Sequence, residues 1–137
     1  VEGAGGLLVP MGTRARAPQR GEERRARAEW TVAELAVRLG APALVVTRAG
    51  LGTLNHTALT LEALRRRGVA AQVVVGAWPA RPARVHRTNL ARLGPDLAGV
   101  VPEGAGALPA AQFRRAAPGW LTRYWYGTGP APGQPGP

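Results

Sequence analysis

In the stretch RAGLGTLNHTALTLEALRRRG, residues 48–68, Gly50 and Gly52 stand just ahead of Thr53, Asn55 and His56, at the head of a segment whose apolar residues recur at helical spacing. The first amides of a helix have no intrahelical acceptor and lie at the positive end of its dipole, so a turn that exposes them suits a carboxylate or a phosphate. The glycines permit backbone dihedrals closed to other residues, and the side chains of Asn55 and His56 fall where they can reach a ligand. The same spacing also fits a plain strand-to-helix corner capped by Thr53, and a single histidine is more often a packing residue than a catalyst. Spacing alone leaves both readings open.

A second group opens the chain in VEGAGGLLVP, where Glu2 precedes four small residues, Gly3, Ala4, Gly5 and Gly6. A carboxylate beside open backbone amides is a plausible Mg²⁺ position, because hard cations combine carboxylate oxygens with phosphate oxygens. An isolated surface-loop glutamate would have the same sequence. Other chemistries are excluded. The chain has no cysteine, hence no thiolate nucleophile and no disulfide framework, and two histidines without cysteines make a zinc site improbable. All 18 basic residues are Arg, so the phosphate-gripping motif G-x-x-x-x-G-K-[ST] cannot occur in it.

These residues need elements to position them. Residues 1–10 are expected to be a strand end and a glycine-rich loop, and 12–29, with charged residues and Pro18, a flexible surface insertion. Thr31 and Glu34 form a T-x-x-E capping box, with Trp30 and Leu35 at the staple positions, ahead of a helix that Gly40 ends. APALVVTRA, residues 41–49, reads as a buried parallel strand. The helix after it places Leu54, Ala58, Leu61 and Leu64 on one stripe, pairs Glu62 with Arg66, and finishes at Gly68. VAAQVVVG, residues 69–76, is a second buried strand, followed by the loop AWPARPAR and a short helix over 85–93. LAGVVPEGAGAL, 97–108, gives a strand and a glycine-rich turn, 109–126 a short helix with aromatic packing, and 127–137 a tail too polar and proline-rich to order.

Alternating strands and helices predict an α/β fold, a partial doubly wound sheet with mainly parallel strands, in one domain over 1–126. Ligands of such sheets bind beyond the carboxyl ends of the strands, here EGAGG, RAGLGTLNH, GAWPARP and PEGAG. The length of 137 residues and an apolar fraction of 45% suit one core. A net charge of +10 raises nucleic acid as a partner. The distribution argues against it: arginine without lysine, amid abundant Ala, Gly and Pro, is what GC-biased coding produces, and few aromatics are interleaved for base stacking. A basic nucleic-acid-binding module carried by Arg14–Arg27 is the alternative from another class. No apolar run is long enough for a membrane span and no signal peptide opens the chain, so a cytoplasmic protein is expected. Val1 at the end of a strand-like run reads as the start of a fragment.

VEGAGGLLVP, LVVTRAGLGTLNHTALTLEALRRRG, VVVGAWPARP and GVVPEGAGALPAAQF, in this order, closely resemble the C-terminal half of dethiobiotin synthetase. The match covers most of residues 1–10 and 31–121, and GLGTLNHTALT is its most diagnostic part. A related cobyrinate-type amidating synthase, or a regulatory domain of the same fold, would share VEGAGG but should lack GLGTLNHT. The resemblance implies a homodimeric enzyme of the P-loop NTPase-like type that converts 7,8-diaminononanoate, CO₂ and MgATP to dethiobiotin, ADP and phosphate. It implies that the half with the phosphate-binding loop is missing, leaving this chain inactive alone. Carried over by position, Glu2 would be a Mg²⁺ ligand, and Gly3, Ala4, Gly5 and Gly6 would line the phosphates and the reacting diamine. Leu51, Gly52, Thr53, Leu54 and Asn55 would hold the substrate's carboxylate tail across the dimer interface, and Val101, Pro102, Glu103 and Gly104 would lie beside the adenine. Many family members carry an adenine-reading Asn where this chain has Gly76, which implies looser nucleotide choice.

Overall fold

A computed structural model describes residues 2, 3, 5–14 and 28–121. Ala4, the arginines from Arg16 to Arg27 and the tail over 127–137 lie outside the described residues. Residues 5–10 run through turns, as the glycine-rich loop expected there requires, and the strand end expected at Val1 lies outside the described residues. A short ladder follows: β1 (Gly12–Arg14) pairs antiparallel with β2 (Ala28–Trp30), Gly12 opposite Trp30 and Arg14 opposite Ala28. The described ends of the 12–29 segment are therefore paired backbone, contrary to the irregular excursion expected. Three-residue strands carry too little alternation to be seen locally, and their pairing joins distant parts of the chain.

α1 (Val32–Leu39) starts as its capping box dictates: the Thr31 hydroxyl accepts from the Glu34 amide, and the Thr31 amide donates to the Glu34 carboxylate at 3.1 Å. Gly40 ends it in the left-handed region, φ 57°. Then β3 (Ala43–Thr47), α2 (Thr53–Arg65), β4 (Ala71–Trp78), α3 (Arg84–Leu93), β5 (Leu97–Pro102) and α4 (Ala110–Ala116) follow in sequence. The sheet is three parallel strands in the order β3-β4-β5, in register from Ala43 opposite Ala71 to Thr47 opposite Val75. This is the α/β, partly doubly wound architecture that the alternation of elements predicts.

Alternation along the strands puts Val45, Thr47, Val73 and Val75 on one face. Val73 and Val75 on that face join Ala49, Leu61 and Leu93 to form the core, with Leu54, Leu90 and Val100 packed around it. Two expectations about burial are corrected. The strand read as buried over 41–49 is half-buried: Val46, on the other face, is 67% exposed, and Leu44 is open too. On α2, Ala58 is exposed, while Thr53 and Thr57 take the buried places beside Leu61 and Leu64. The threonines can be buried because their hydroxyls pair with that of Thr47, at 2.8 Å for Thr57.

β4 runs two residues past the expected end at Gly76, since Ala77 and Trp78 continue the extended run and Trp78 pairs with Pro102. On the outer side of β5 a returning segment bonds antiparallel. The Trp120 carbonyl accepts from Val100 at 2.8 Å, and Gly99 bridges Leu121, where an added Cβ would lie 2.2 Å from the Trp120 oxygen. The expected aromatic packing in 109–126 is present as an edge-to-face contact of Phe113 and Trp120, centroids 5.2 Å apart.

Candidate functional site

The turn from β3 into α2 is built by residues from three elements. Beyond Thr47 the chain buries Ala49, then projects Leu51 into solvent, 86% exposed. Gly52 is the N-cap with φ 86°, so the left-handed residue is Gly52 alone; Gly50 takes an ordinary conformation. Thr53 does not cap the helix. Its hydroxyl turns inward to Thr47 and its side chain is buried, so the helix start has no side-chain cap. The amide of Thr53 donates to the Gly50 carbonyl at 3.4 Å and that of His56 to Gly52 at 3.3 Å. Among the described residues no acceptor is found for the amides of Leu54 and Asn55. The side chains of Asn55 and His56 are exposed beside them.

From α3, the Asn89 side-chain amide donates to the carbonyls of Ala49, at 3.0 Å, and of Gly50, at 2.9 Å. Both neighbours are carbonyl oxygens, which only accept, so the nitrogen must be the atom between them and both its protons are used. Nothing in the sequence reading marks Asn89. It lies on α3, 36 residues from Thr53 on α2, and an asparagine in a helix gives no local sign of a carbonyl pair to hold. The result is an uncapped helix start with its preceding carbonyls fastened from behind, an arrangement able to receive an anion without rearranging.

Glu2, Gly3, Gly5 and Gly6 line a groove of about 680 Å³ against α1 and the open face of β3, together with Leu35 and Val46. Gly5 and Gly6 have φ 92° and 123°, and a Cβ on Gly3 would lie 2.3 Å from Val32. None of Leu51–Asn55 lines that groove, nor do Gly76 and Val101–Gly104. Of the groups suggested by sequence, Glu2, Gly3, Gly5 and Gly6 thus line this groove, Gly76 adjoins it through Val46, and the α2 turn stands outside its lining. Among the described residues no three His, Cys, Asp or Glu side chains gather to hold a metal. Glu2 is the acidic residue among those lining the groove, and a Mg²⁺ shared with phosphates would call for one or two carboxylates.

Gly76 lies inside β4, and a Cβ there would meet the Val46 side chain at 2.7 Å. Where the sheet ends, the Glu103 amide donates to the Trp78 carbonyl at 2.8 Å, Gly104 turns left-handed with φ 79°, and Val101 and Pro102 complete β5. His86, also unmarked in sequence, accepts the Ala83 amide on Nδ1 at 2.9 Å and meets the Trp78 ring edge-on, so it fixes the start of α3 beside this loop.

The AAA domain family matches residues 24–107. An ATP-dependent dethiobiotin synthetase BioD from Rhodococcus jostii is 45% identical over 91% of this chain and 50% of its own length. Proteins of the same name from Mycobacterium avium, 47% identical over 91% of this chain and 50% of their own length, and from Saccharopolyspora erythraea, 53% over 81% and 45%, are similar. The chain spans about half the length of these curated relatives. Through residues 24–107, the chain belongs to the AAA domain family.

Proposed function

We propose that this chain is part of an ATP-dependent dethiobiotin synthetase, and that its β3–α2 turn holds the carboxylate tail of 7,8-diaminononanoate. The observation that carries the reading is the uncapped start of α2, with the Leu54 and Asn55 amides free to donate. A carboxylate there gains two amide donors and the helix dipole. Identities of 45–53% with relatives bearing that name support the assignment.

In the reaction, one substrate amine adds to CO₂ to give a carbamate. The carbamate oxygen takes the terminal phosphoryl group of ATP, releasing ADP. The second amine then attacks the carbamoyl carbon, closing the ureido ring as phosphate leaves. The protein's part is positioning and charge neutralisation. Mg²⁺, when bound with the nucleotide, supplies positive charge to the phosphates, and Glu2 would serve as one ligand. Gly3, Ala4, Gly5 and Gly6 would offer amides to phosphates and diamine, and Val101–Gly104 would flank the adenine. The exposed Leu51 at the tip of the turn suits a homodimer in which this turn reaches into a second copy's site. The compartment proposed is the cytoplasm, and among the described residues no helix is long and apolar enough to cross a membrane.

The test combines this chain with a polypeptide supplying the phosphate-binding half and follows dethiobiotin and ADP after addition of diamine, bicarbonate and MgATP. Diamine-dependent ADP release with dethiobiotin formation is expected, and no turnover from this chain alone. ADP release indifferent to the diamine would overturn the reading. Gly76 leaves the adenine edge without a side-chain partner, so comparable rates with ATP, CTP and GTP are expected; strict preference for ATP would reject that part.

A further inference from the structure

Asn89 is 8% exposed and spends both amide protons on the turn that precedes α2. Ala49, whose carbonyl takes one of them, is itself buried, and the Gly50 carbonyl takes the other while also accepting from the Thr53 amide. Without Asn89, the buried Ala49 carbonyl would lose its side-chain donor, and the backbone would have to shift to recover one. Any such shift passes directly into Gly52 and the first amides of the helix. On the other side, Thr47 holds Thr53 and Thr57 to the end of β3. The turn is thus fastened at its carbonyls by α3 and at its first helical side chain by β3, while the amides of Leu54 and Asn55 have no acceptor among the described residues.

The geometry points to Asn89 as a positioning residue for the anion-binding turn: it presets the aim of the Leu54 and Asn55 amides and so sets affinity for the substrate's carboxylate end. This inference rests on the function proposed above. Asn89 touches no substrate; it acts through the carbonyls of Ala49 and Gly50.

The experiment uses the complete synthetase containing this chain, with Asn89→Asp, which keeps the shape and removes both donors, Asn89→Ser, and the exposed neighbour Thr88→Ala as control. Asn89→Ser serves where Asn89→Asp fails to fold. Steady-state kinetics are read alongside amide hydrogen exchange of residues 49–55 without substrate. Expected for Asn89 variants is a rise of roughly tenfold in KM for the diamine, with kcat and the KM for ATP changed less than about twofold, and faster exchange confined to the turn. A purely structural residue would lower Tm and leave the diamine KM in place, and that result would overturn the inference, as would unchanged exchange at 49–55. If the unaltered enzyme makes no dethiobiotin, the functional reading fails by itself, and the exchange arm still decides whether Asn89 sets the turn.

Discussion

Thr47 is the hub of a small hydroxyl cluster, bonded to both Thr53 and Thr57. Removing the hub orphans two buried hydroxyls, whereas removing one spoke leaves the other pair intact. Thr47→Val is therefore expected to destabilise by about 1–3 kcal/mol and Thr57→Val by about 1 kcal/mol, compared by denaturant midpoints. Equal losses would mean that the hydroxyls find other partners. Gly52 offers a contrasting case, because a Cβ there would meet nothing within 4 Å while φ is 86°. Gly52→Ala should cost about 1–2 kcal/mol through backbone conformation alone. The sequence shows that Gly50 and Gly52 are special as a pair, but only the structure separates them, since the left-handed requirement falls on Gly52.

At the scale of elements, α1 carries the clearest titration. The Glu34 carboxyl is held below its ordinary value of 4.5, chiefly by the Thr31 hydroxyl; partial burial opposes this, and the Glu34 backbone amide and Arg67 add to the lowering. A group whose folded pKa is depressed contributes stability present above its unfolded pKa and lost as pH falls through the folded one. Thermal stability should accordingly decline more steeply below about pH 4.5 in the natural chain than in Glu34→Gln. Parallel acid limbs would show that the box contributes nothing; the side chain is 42% exposed, so a modest difference is expected. α2 depends instead on burial, and fully buried Leu64 replaced by Ala should cost about 2–5 kcal/mol. The capping box, the alternation of strands and helices and the start of α2 were legible because each is written in neighbouring residues. The β1–β2 ladder, the extension of β4 beyond Gly76 and the reach of Asn89 were not, since each depends on a partner distant in sequence.

For the molecule as a whole, the two faces of β3 differ. One packs on helices; the other presents Leu44 and Val46 along a groove shared with Glu2 and the glycines after it. An open apolar strand face favours self-association. Val46→Lys is expected to shift the 137-residue chain toward monomer in sedimentation velocity, and an unchanged distribution would place association elsewhere. The margins of the sheet are just as unequal. At β5 the returning backbone around Trp120 and Leu121 already occupies the outer hydrogen-bonding row, and Gly99 leaves no room for anything thicker than that strand. Growth of this sheet is consequently vectorial: among the described residues nothing pairs with the outer edge of β3, so a further strand, from whatever source, would find its berth there, whereas the backbone of Trp120 and Leu121 bars the way beside β5.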